Sequence, residues 1–285
     1  MAQTLDGFTH SHVLHDDGSL SFACGSDLAR WPWLALDPCD PIVVQTLNYY
    51  GAYEIAIARG EYRPGQWTAL TQTDWRCGDD GAGHAVRGIA AARGEDSGAP
   101  YRVSFFDRDD KLVCEVSGKG VVFRNRDFAA WREAQKQDLG APMALSDFPF
   151  VDAELIGRDS QIESYVSALD AGSPASVTAL VTSENGFPPA HPYNDGSGDH
   201  VNAAHLADAA LQFLRLAKGD PGLLVSGGDM RFASYVELGH PFFLKLAEPD
   251  EPGGDAPISI QQAGRECATI YLRPLDPPRD LSGGL

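Results

Sequence analysis

The chain has 285 residues and a formal net charge of −18, and 43% of its residues are hydrophobic. This length and apolar content allow one large core or two ordinary domains, so the chain is globular and not disordered. The acidic balance argues against a nucleic-acid partner, because phosphate binding needs a basic face. No apolar run is long enough for a membrane helix and residues 1–6 do not resemble a signal peptide, so we expect a cytoplasmic protein without membrane contact.

The five cysteines lie at positions 24, 39, 77, 114 and 267, an odd number without a Cys-x-x-Cys pair. This pattern predicts buried, reduced thiols rather than a disulfide framework or a zinc site. His10, His12 and His15 lie on a predicted strand, and a His-x-His pair there can bind zinc, but no acid or cysteine stands at a matching spacing. We therefore expect a solvated strand end, no metal and no cofactor.

In chain order, the first half predicts two strands, one long apolar helix and four further strands, with turn residues such as Asp16-Asp17-Gly18 between them. The strands are expected at 8–14, 20–24, 67–75, 84–92, 101–106 and 112–123, and the helix at 42–58. A short surface helix at 127–137 and a linker with two prolines at 139–150 follow.

The second half predicts the same kinds of element around another long helix. Strands are expected at 152–156, 162–169, 177–183, 222–225, 230–236, 242–247, 258–262 and 267–272, the helix at 201–217, and a flexible tail at 276–285. Each long helix follows a Pro-containing turn, Asp40-Pro41 in the first copy and His191-Pro192 in the second. This internal repeat predicts an α+β double hotdog, with two antiparallel sheets that each wrap around one long central helix. The two domains would be 1–126 and 151–275, joined by 127–150.

A helix enclosed by a sheet should be apolar nearly all round, because an unpaired buried polar group costs about 1 to 3 kcal/mol. The second long helix breaks this rule on one stripe. At about 100° per residue, the stripe contains His205, Asp208, Gln212 and Arg215. It either faces solvent, as on an amphipathic surface helix, or lines a site.

The residues before this helix favour a site. Asp199-His200 lie where backbone N–H groups and the helix dipole can hold a thioester carbonyl or an oxyanion, and His191 precedes a proline in the approach loop. A histidine and a carboxyl group across an acyl thioester suffice for β-elimination of water, so His191 and Asp208 are the predicted catalytic pair. Three alternatives stay open: His191 as a loop residue without a role, His200 as a helix cap, and His205 as a hydrogen-bonded wall residue.

Local motifs in both halves carry a family resemblance. They are Asp40-Pro41 followed by 42–46, Asn185 and Phe187 with His191-Pro192 and Asp199-His200-Val201, Asp208-Ala209-Ala210-Leu211-Gln212, and Tyr235-Val236-Glu237-Leu238. Together they resemble the A-factor biosynthesis hotdog family, double-hotdog enzymes associated with γ-butyrolactone signalling molecules, over most of the chain. The resemblance implies condensation of a β-ketoacyl chain on carrier protein with dihydroxyacetone phosphate, with a helix arginine as the phosphate partner.

The chain departs from that family within the helices. The family's helix glutamate stands as Gln45 in the first half and Asp208 in the second, and its helix arginine as Asn48 and Leu211. With Leu206, the second helix is also similar to the Leu-x-Asp-Ala-x-x-Gln helix of β-hydroxyacyl-carrier-protein dehydratases and polyketide dehydratase domains. In those proteins a histidine before the helix completes the pair. His191-Pro192 would supply it here, although the motif's preceding glycine is Ala190 and no Pro-Gly precedes the helix.

Because the first half carries no histidine or carboxyl group at the matching positions, we expect one active site, in the second half. The leading hypothesis is a dehydratase-type enzyme of secondary metabolism that acts on a thioester of acyl carrier protein or coenzyme A, as a monomer or homodimer. Condensation with a glycerol-derived phosphate, thioester hydrolysis and non-catalytic acyl binding are the alternatives. The expected supporting or substrate-binding residues are Asp199, His200, Asn202, His205 and Gln212 in the second half and Gln45, Asn48 and Tyr49 in the first.

Carrier proteins are acidic, so an acidic enzyme needs a local basic patch to dock one. Arg124, Arg126 and Arg132 are the best candidates, although such a charge run also fits an ordinary solvated face. We predict that reversing the charge of Arg124 and Arg126 weakens carrier-protein binding, measured as a Kd at low ionic strength. An unchanged Kd would contradict the docking assignment.

Overall fold

The computed structural model describes residues 7–63, 68–92, 94, 100–123, 128–137, 139–185, 200–247 and 256–275. These ranges contain three α-helices and eleven strands. They are, in chain order, β1 (Thr9–Leu14), β2 (Leu20–Cys24), α1 (Pro41–Ala58), β3 (Thr68–Cys77), β4 (Arg87–Ala90), β5 (Tyr101–Phe106), β6 (Leu112–Val122), α2 (Phe128–Gln137), β7 (Ser176–Ala179), α3 (Ala203–Lys218), β8 (Val225–Phe232), β9 (Phe242–Leu246), β10 (Ile258–Gln262) and β11 (Arg265–Pro274). Within the same ranges, no helix is both long and apolar enough to cross a membrane.

All eleven described strands belong to one antiparallel sheet, ordered β1-β2-β4-β5-β6-β3-β8-β11-β10-β9-β7. The first-half strands fill one side and the second-half strands the other. At the junction, β3 pairs with β8 from Gln72 opposite Arg231 to Arg76 opposite Gly227. The expectation of two separate sheets is therefore wrong, because the edge strand of each half pairs with the other and leaves no open edge between them. The domain boundaries at 126 and 150 stay a prediction.

Both long helices lie where the sequence placed them. The carboxylate of Asp40 accepts the amide of Ile42 at 3.1 Å and caps α1, and Pro41 occupies the first turn, where an amide hydrogen has no helical partner. Apolar side chains bury α1 on several sides, and the helix also packs against α3. The two central helices are thus neighbours in one core.

Two segments that were expected to be strands, 152–156 and 162–169, contain short 3-10 turns at Ala153–Ile156 and Gln161–Glu163. Polar side chains of α3 explain the difference, because they bind the backbone of these segments. Gln212 accepts the amide of Tyr165 at 2.9 Å, and Arg215 donates to the carbonyl of Ile156 at 2.8 Å. These side chains thus replace strand partners up to Tyr165. Beyond it the expected strand does pair with β7, since Val166 bridges Ala179 and the amide of Ser167 donates to the carbonyl of Thr178 at 2.8 Å.

One strand, β8 (Val225–Phe232), stands where two were expected, at 222–225 and 230–236, and it runs through the glycine pair Gly227-Gly228. Residues 222–224 and 233–236 lie outside it. A side chain at position 228 would overlap the indole ring of Trp75, a fully buried residue of β3. The glycine is required because β3 and β8 approach closely at the junction of the two halves.

We predict that Gly228→Ala lowers the free energy of unfolding by about 1 to 3 kcal/mol, because the added methyl group forces Trp75 or the β3–β8 pairing to shift. Urea unfolding measures the effect. The matched control is Gly222→Ala, whose methyl group would meet only Asp220 at 3.5 Å and should change stability by less than about 0.5 kcal/mol. Equal stability of the two variants would contradict the close packing at the junction.

Candidate active site

The polar stripe of α3 is buried. Asn202 caps the helix by accepting the amide of His205, and Gly219 ends it in the left-handed conformation. No more than 5% of the surface is exposed for any of the four stripe residues, His205, Asp208, Gln212 and Arg215. The stripe does not face solvent, so α3 is not an amphipathic surface helix.

The C-terminal part of the stripe holds the neighbouring chain in place. Gln212 accepts the amide of Tyr165 and donates its own amide to the carbonyl of Glu163 at 2.8 Å. Arg215 donates to the carbonyls of Ile156 and Leu223. These contacts position the segment that crosses α3, and a substrate-binding role for Gln212 stays a prediction.

Asp208 lies in a buried cluster of three charged side chains, which we call the Arg158 cluster: Arg158, Asp40 and Asp208. Arg158 Nη2 donates to Asp208 Oδ1. The same guanidinium binds Asp40, with Nη1 at 2.9 Å from Oδ2 and Nη2 at 3.3 Å from Oδ1. Each of the three side chains is at most 5% exposed. The cluster links the N-cap of α1 to the middle of α3, and hence the two halves of the chain.

The Arg158 cluster contains two carboxyl groups and one guanidinium. Burial raises the pKa of Asp208 to about 6, because Arg158 only partly offsets the lost hydration and Asp40 adds repulsion. Burial alone would lower the pKa of Arg158, but Asp208 and Asp40 outweigh it and raise that pKa. A proton on Asp208 makes the cluster neutral, so this carboxyl group can hold or release a proton near neutral pH.

One oxygen of Asp208 is not used by the cluster. Among the residues that the structure describes, Asp208 Oδ2 and Arg158 Nε have no hydrogen-bond partner. Because buried polar atoms nearly always have a partner, this oxygen of Asp208 keeps an unused capacity to form a hydrogen bond.

An imidazole precedes Asp208 by one helical turn. Residues three apart lie on the same helix face, which places His205 beside Asp208 on α3. His205 Nδ1 is 2.7 Å from Asn202 Oδ1, and because an amide oxygen only accepts, this contact puts the proton on Nδ1. His191 and Asp199 lie outside the described residues, so the pairing of His191 with Asp208 stays a prediction.

His200 does not cap α3. The cap is Asn202, so the alternative of His200 as a helix cap is wrong. The backbone of His200 instead bridges that of Glu237, and its ring lies edge-on to Tyr235 with the centroids 4.7 Å apart. His200 is half-buried at the entrance to the helix.

The matching position of the first half holds a neutral hydrogen-bond network. Asn48 Nδ2 donates to Gln45 at 3.1 Å and to the hydroxyl of Thr73 at 3.0 Å, and Asn48 Oδ1 accepts the hydroxyl of Tyr101 at 2.7 Å. Burial raises the pKa of Tyr101, so its hydroxyl stays protonated. Tyr49 is half-buried against the core. The described residues of this network contain no carboxyl group or imidazole.

Arg132 is not available for docking. Its guanidinium binds both carboxylate oxygens of Glu237, with Nη2 at 2.8 Å from Oε2, and stacks 4.2 Å over the ring of Tyr235. Its side chain is only 4% exposed. The prediction that Arg132 docks a carrier protein is wrong, because α2 uses this arginine to bind the second half. Arg124 and Arg126 lie outside the described residues, and their role stays a prediction.

The N-terminal histidines take part in local hydrogen bonds. His10 and His15 are exposed, whereas His12 is half-buried 2.9 Å from the hydroxyl of Thr9, which itself binds Glu54. Burial lowers the pKa of His12. In the part of the chain that the structure describes, no three His, Cys, Asp or Glu side chains are grouped so as to hold a metal ion.

Solved structures with a similar fold include two proteins that match most of the chain. An acyl-ACP thioesterase from Bacteroides thetaiotaomicron aligns over 90% of this chain and 97% of its own, with a TM-score of 0.53 and 10% identity. An inactive mutant of CurJ dehydratase in complex with a compound aligns over 95% and 96%, with a TM-score of 0.51 and 10% identity. At this identity the likeness shows the fold, which is hotdog-like and α+β.

No protein-family model matches the sequence, and no curated protein matches it significantly. The resemblance to the A-factor biosynthesis family rests on local motifs and stays a prediction.

Sequence reasoning missed Arg158, and recognised Asp40 only as part of a motif. Arg158 follows Gly157, which has a positive φ of 64° and reads as turn chemistry. No periodicity marks a single arginine in a turn. Only the approach of two helices distant in sequence gives this residue its partners.

We predict that Arg158→Gln lowers the free energy of unfolding by about 3 to 5 kcal/mol, because it leaves two buried carboxyl groups without their cation. Adding Asp208→Asn should recover part of this loss, since it removes one of the two stranded charges. Urea unfolding of the two single variants and the double variant measures the coupling.

The matched control for Arg158→Gln is Arg76→Gln, which breaks an exposed ion pair with Glu115. It should cost less than about 1 kcal/mol. Strictly additive effects of Arg158→Gln and Asp208→Asn would contradict the cluster.

Proposed function

We propose that this chain is an enzyme that acts on a thioester of acyl carrier protein or coenzyme A, and that it eliminates water from a β-hydroxyacyl group with Asp208 as the general acid. One observation carries the proposal. The buried carboxyl group of Asp208 has its pKa raised to about 6 and keeps Oδ2 without a partner among the described residues. A carboxyl group of this kind can give a proton to the departing β-hydroxyl at physiological pH.

The reaction also needs a base that removes the α-proton. We assign this role to His191, with His205 as the competing candidate because Asn202 holds the proton on its Nδ1. The α-proton passes to the imidazole, the proton on Asp208 passes to the β-hydroxyl, and water leaves as the double bond forms. Backbone N–H groups at Asp199-His200, before the start of α3, would hold the thioester carbonyl, together with the positive end of the helix dipole.

The polar side chains of the first-half network are candidates for contact with the substrate. The amide nitrogen of Gln45 has no partner among the described residues, although the side chain is only 1% exposed. Gln45 in the first half would then contact the acyl chain, with Asn48 and Tyr49 as supporting residues. In the second half, Asn202 fixes the ring of His205.

Hydrolysis is the nearest alternative reaction, since the same fold occurs in an acyl-ACP thioesterase. A hydrolase would use its carboxylate to activate water, which requires the ionised form. The raised pKa of Asp208 favours the acid role and therefore elimination.

Condensation with a glycerol-derived phosphate is less favoured. It needs a cation for the phosphate, and the helix positions of the family's arginines hold Asn48 and Leu211. Both Nη atoms of Arg158 already bind carboxylates, so Arg158 does not replace the missing arginines.

We predict that Asp208→Asn lowers kcat about 10²- to 10⁴-fold, because the amide has nearly the same shape but cannot donate the proton. In the parent enzyme Asp208 must be protonated to act as the acid, so kcat should fall as the pH rises above about 6. We call this decline the alkaline limb of the pH profile. The residual activity of Asp208→Asn should not show this decline. Asp220→Asn, which changes an exposed carboxylate after α3, is the matched control and should keep both kcat and the pH profile.

The assay incubates the protein with β-hydroxyacyl and β-ketoacyl carrier-protein thioesters, with and without dihydroxyacetone phosphate, and follows the acyl mass. Loss of one water supports the proposal. Loss of the whole acyl group, an adduct with the phosphate, or binding without turnover would each overturn it in favour of the corresponding alternative. Comparing His191→Ala with His205→Ala identifies the base.

A further inference from the structure

Cys39 and Cys77 form a thiol pair close to the junction of the two halves. Cys39 ends the loop before α1, and Cys77 is the last residue of β3. Cys77 Sγ lies 3.8 Å from the carbonyl oxygen of Cys39 and 3.5 Å from that of Val225. Both cysteines are half-buried, whereas Cys24, Cys114 and Cys267 are buried. The expectation of buried thiols thus holds for three of the five cysteines.

The backbone on both sides of the pair is held in place. The amide of Cys39 donates to the carboxylate of Asp37 at 2.8 Å, and the next residue, Asp40, caps α1 and binds Arg158. Cys77 pairs with Cys114 across β3 and β6. The sulfur of Cys77 thus lies against the backbone of Cys39, and rotation of the Cys39 side chain is the motion that would bring the two sulfur atoms together.

The two thiols differ in reactivity. The neighbouring thiol of Cys77 and the amide of Gly78 lower the pKa of Cys39, against the opposing effects of burial and Asp37. The neighbouring thiol of Cys39 and burial raise the pKa of Cys77. Cys39 therefore ionises first, and the thiolate is the nucleophilic form of cysteine.

We propose that Cys39 and Cys77 are an oxidation site that closes reversibly to a disulfide. The Cys39 thiolate attacks a hydroperoxide, the O–O bond breaks, and Cys39 becomes a sulfenic acid while the other oxygen leaves and takes up a proton as an alcohol or water. The sulfur of Cys77 then attacks that of Cys39, the S–O bond breaks, and the hydroxyl leaves with the Cys77 proton as water. The two thiols together lose two electrons and two protons, and a dithiol reductant reverses the reaction.

The disulfide would tie the N-cap of α1 to the end of β3. It closes a loop of chain between positions 39 and 77 and therefore restricts the unfolded state. Oxidation should raise the midpoint of thermal unfolding of the parent chain, and Cys39→Ser should abolish this rise.

The test treats the full chain with hydrogen peroxide, blocks remaining thiols with N-ethylmaleimide, and maps tryptic peptides without reduction. Cleavage after Arg59 and Arg76 separates the two cysteines, so a disulfide appears as a linked peptide pair lighter by two hydrogen atoms. We expect this pair in the parent chain and its loss after dithiothreitol. Cys77→Ser should leave a sulfenic acid on Cys39 that dimedone traps. Cys267→Ser, the matched control, should keep the linked pair.

Three results would overturn the proposal. They are no linked pair in a chain whose Cys39 reacts with N-ethylmaleimide, a link between two chains instead of within one, or equal oxidation of Cys77 in the Cys39→Ser variant. The readout is a mass and needs no thioester substrate, so its outcome is independent of the proposed enzymatic activity.

Discussion

The burial of one guanidinium between two carboxyl groups is the interaction on which the centre of this structure depends. Removing each of these ions from water costs several kcal/mol, and only their mutual contacts offset that cost. Arg158 lies 118 residues from Asp40 and 50 residues from Asp208 in the sequence. The contacts exist only when α1, α3 and the turn before Arg158 are all in place. The Arg158 cluster therefore ties the correct packing of the two halves to the formation of the candidate site.

A second buried ion pair shows what is particular about this cluster. Arg132 and Glu237 are matched one to one, and both oxygens of Glu237 have partners. In the Arg158 cluster one cation serves two carboxyl groups, and one oxygen of Asp208 has no partner among the described residues. A matched pair stabilises an interface between elements. A pair with a surplus carboxyl group retains a proton near neutral pH and can take part in chemistry.

Elements set by local sequence were predictable, and those set by contacts distant in sequence were not. The expected bounds of β2, β5 and β10 agree with the structure, and both long helices lie within two residues of their expected positions, because alternation and helical periodicity are local signals. The stripe on α3 was visible for the same reason. The single continuous sheet, the glycine pair inside β8 and the partners of Arg158 depend on which chain segments meet, and the sequence carries no local mark of that.

The two halves share a design, and the difference between them is charge. Where the second half has Asp208, the first has Gln45, whose neighbours Asn48, Thr73 and Tyr101 form a neutral network that needs no cation.

In the first half, the chain before α1 forms the paired strands β1 and β2. In the second half, part of the chain before α3 leaves the sheet, binds polar side chains of that helix and carries Arg158. The segment that is not a strand is thus the same segment that supplies the cation, Arg158. A buried acid on α3 could not be accommodated without that segment, so the same change that breaks the symmetry of the repeat supplies the conditions for a reactive carboxyl group.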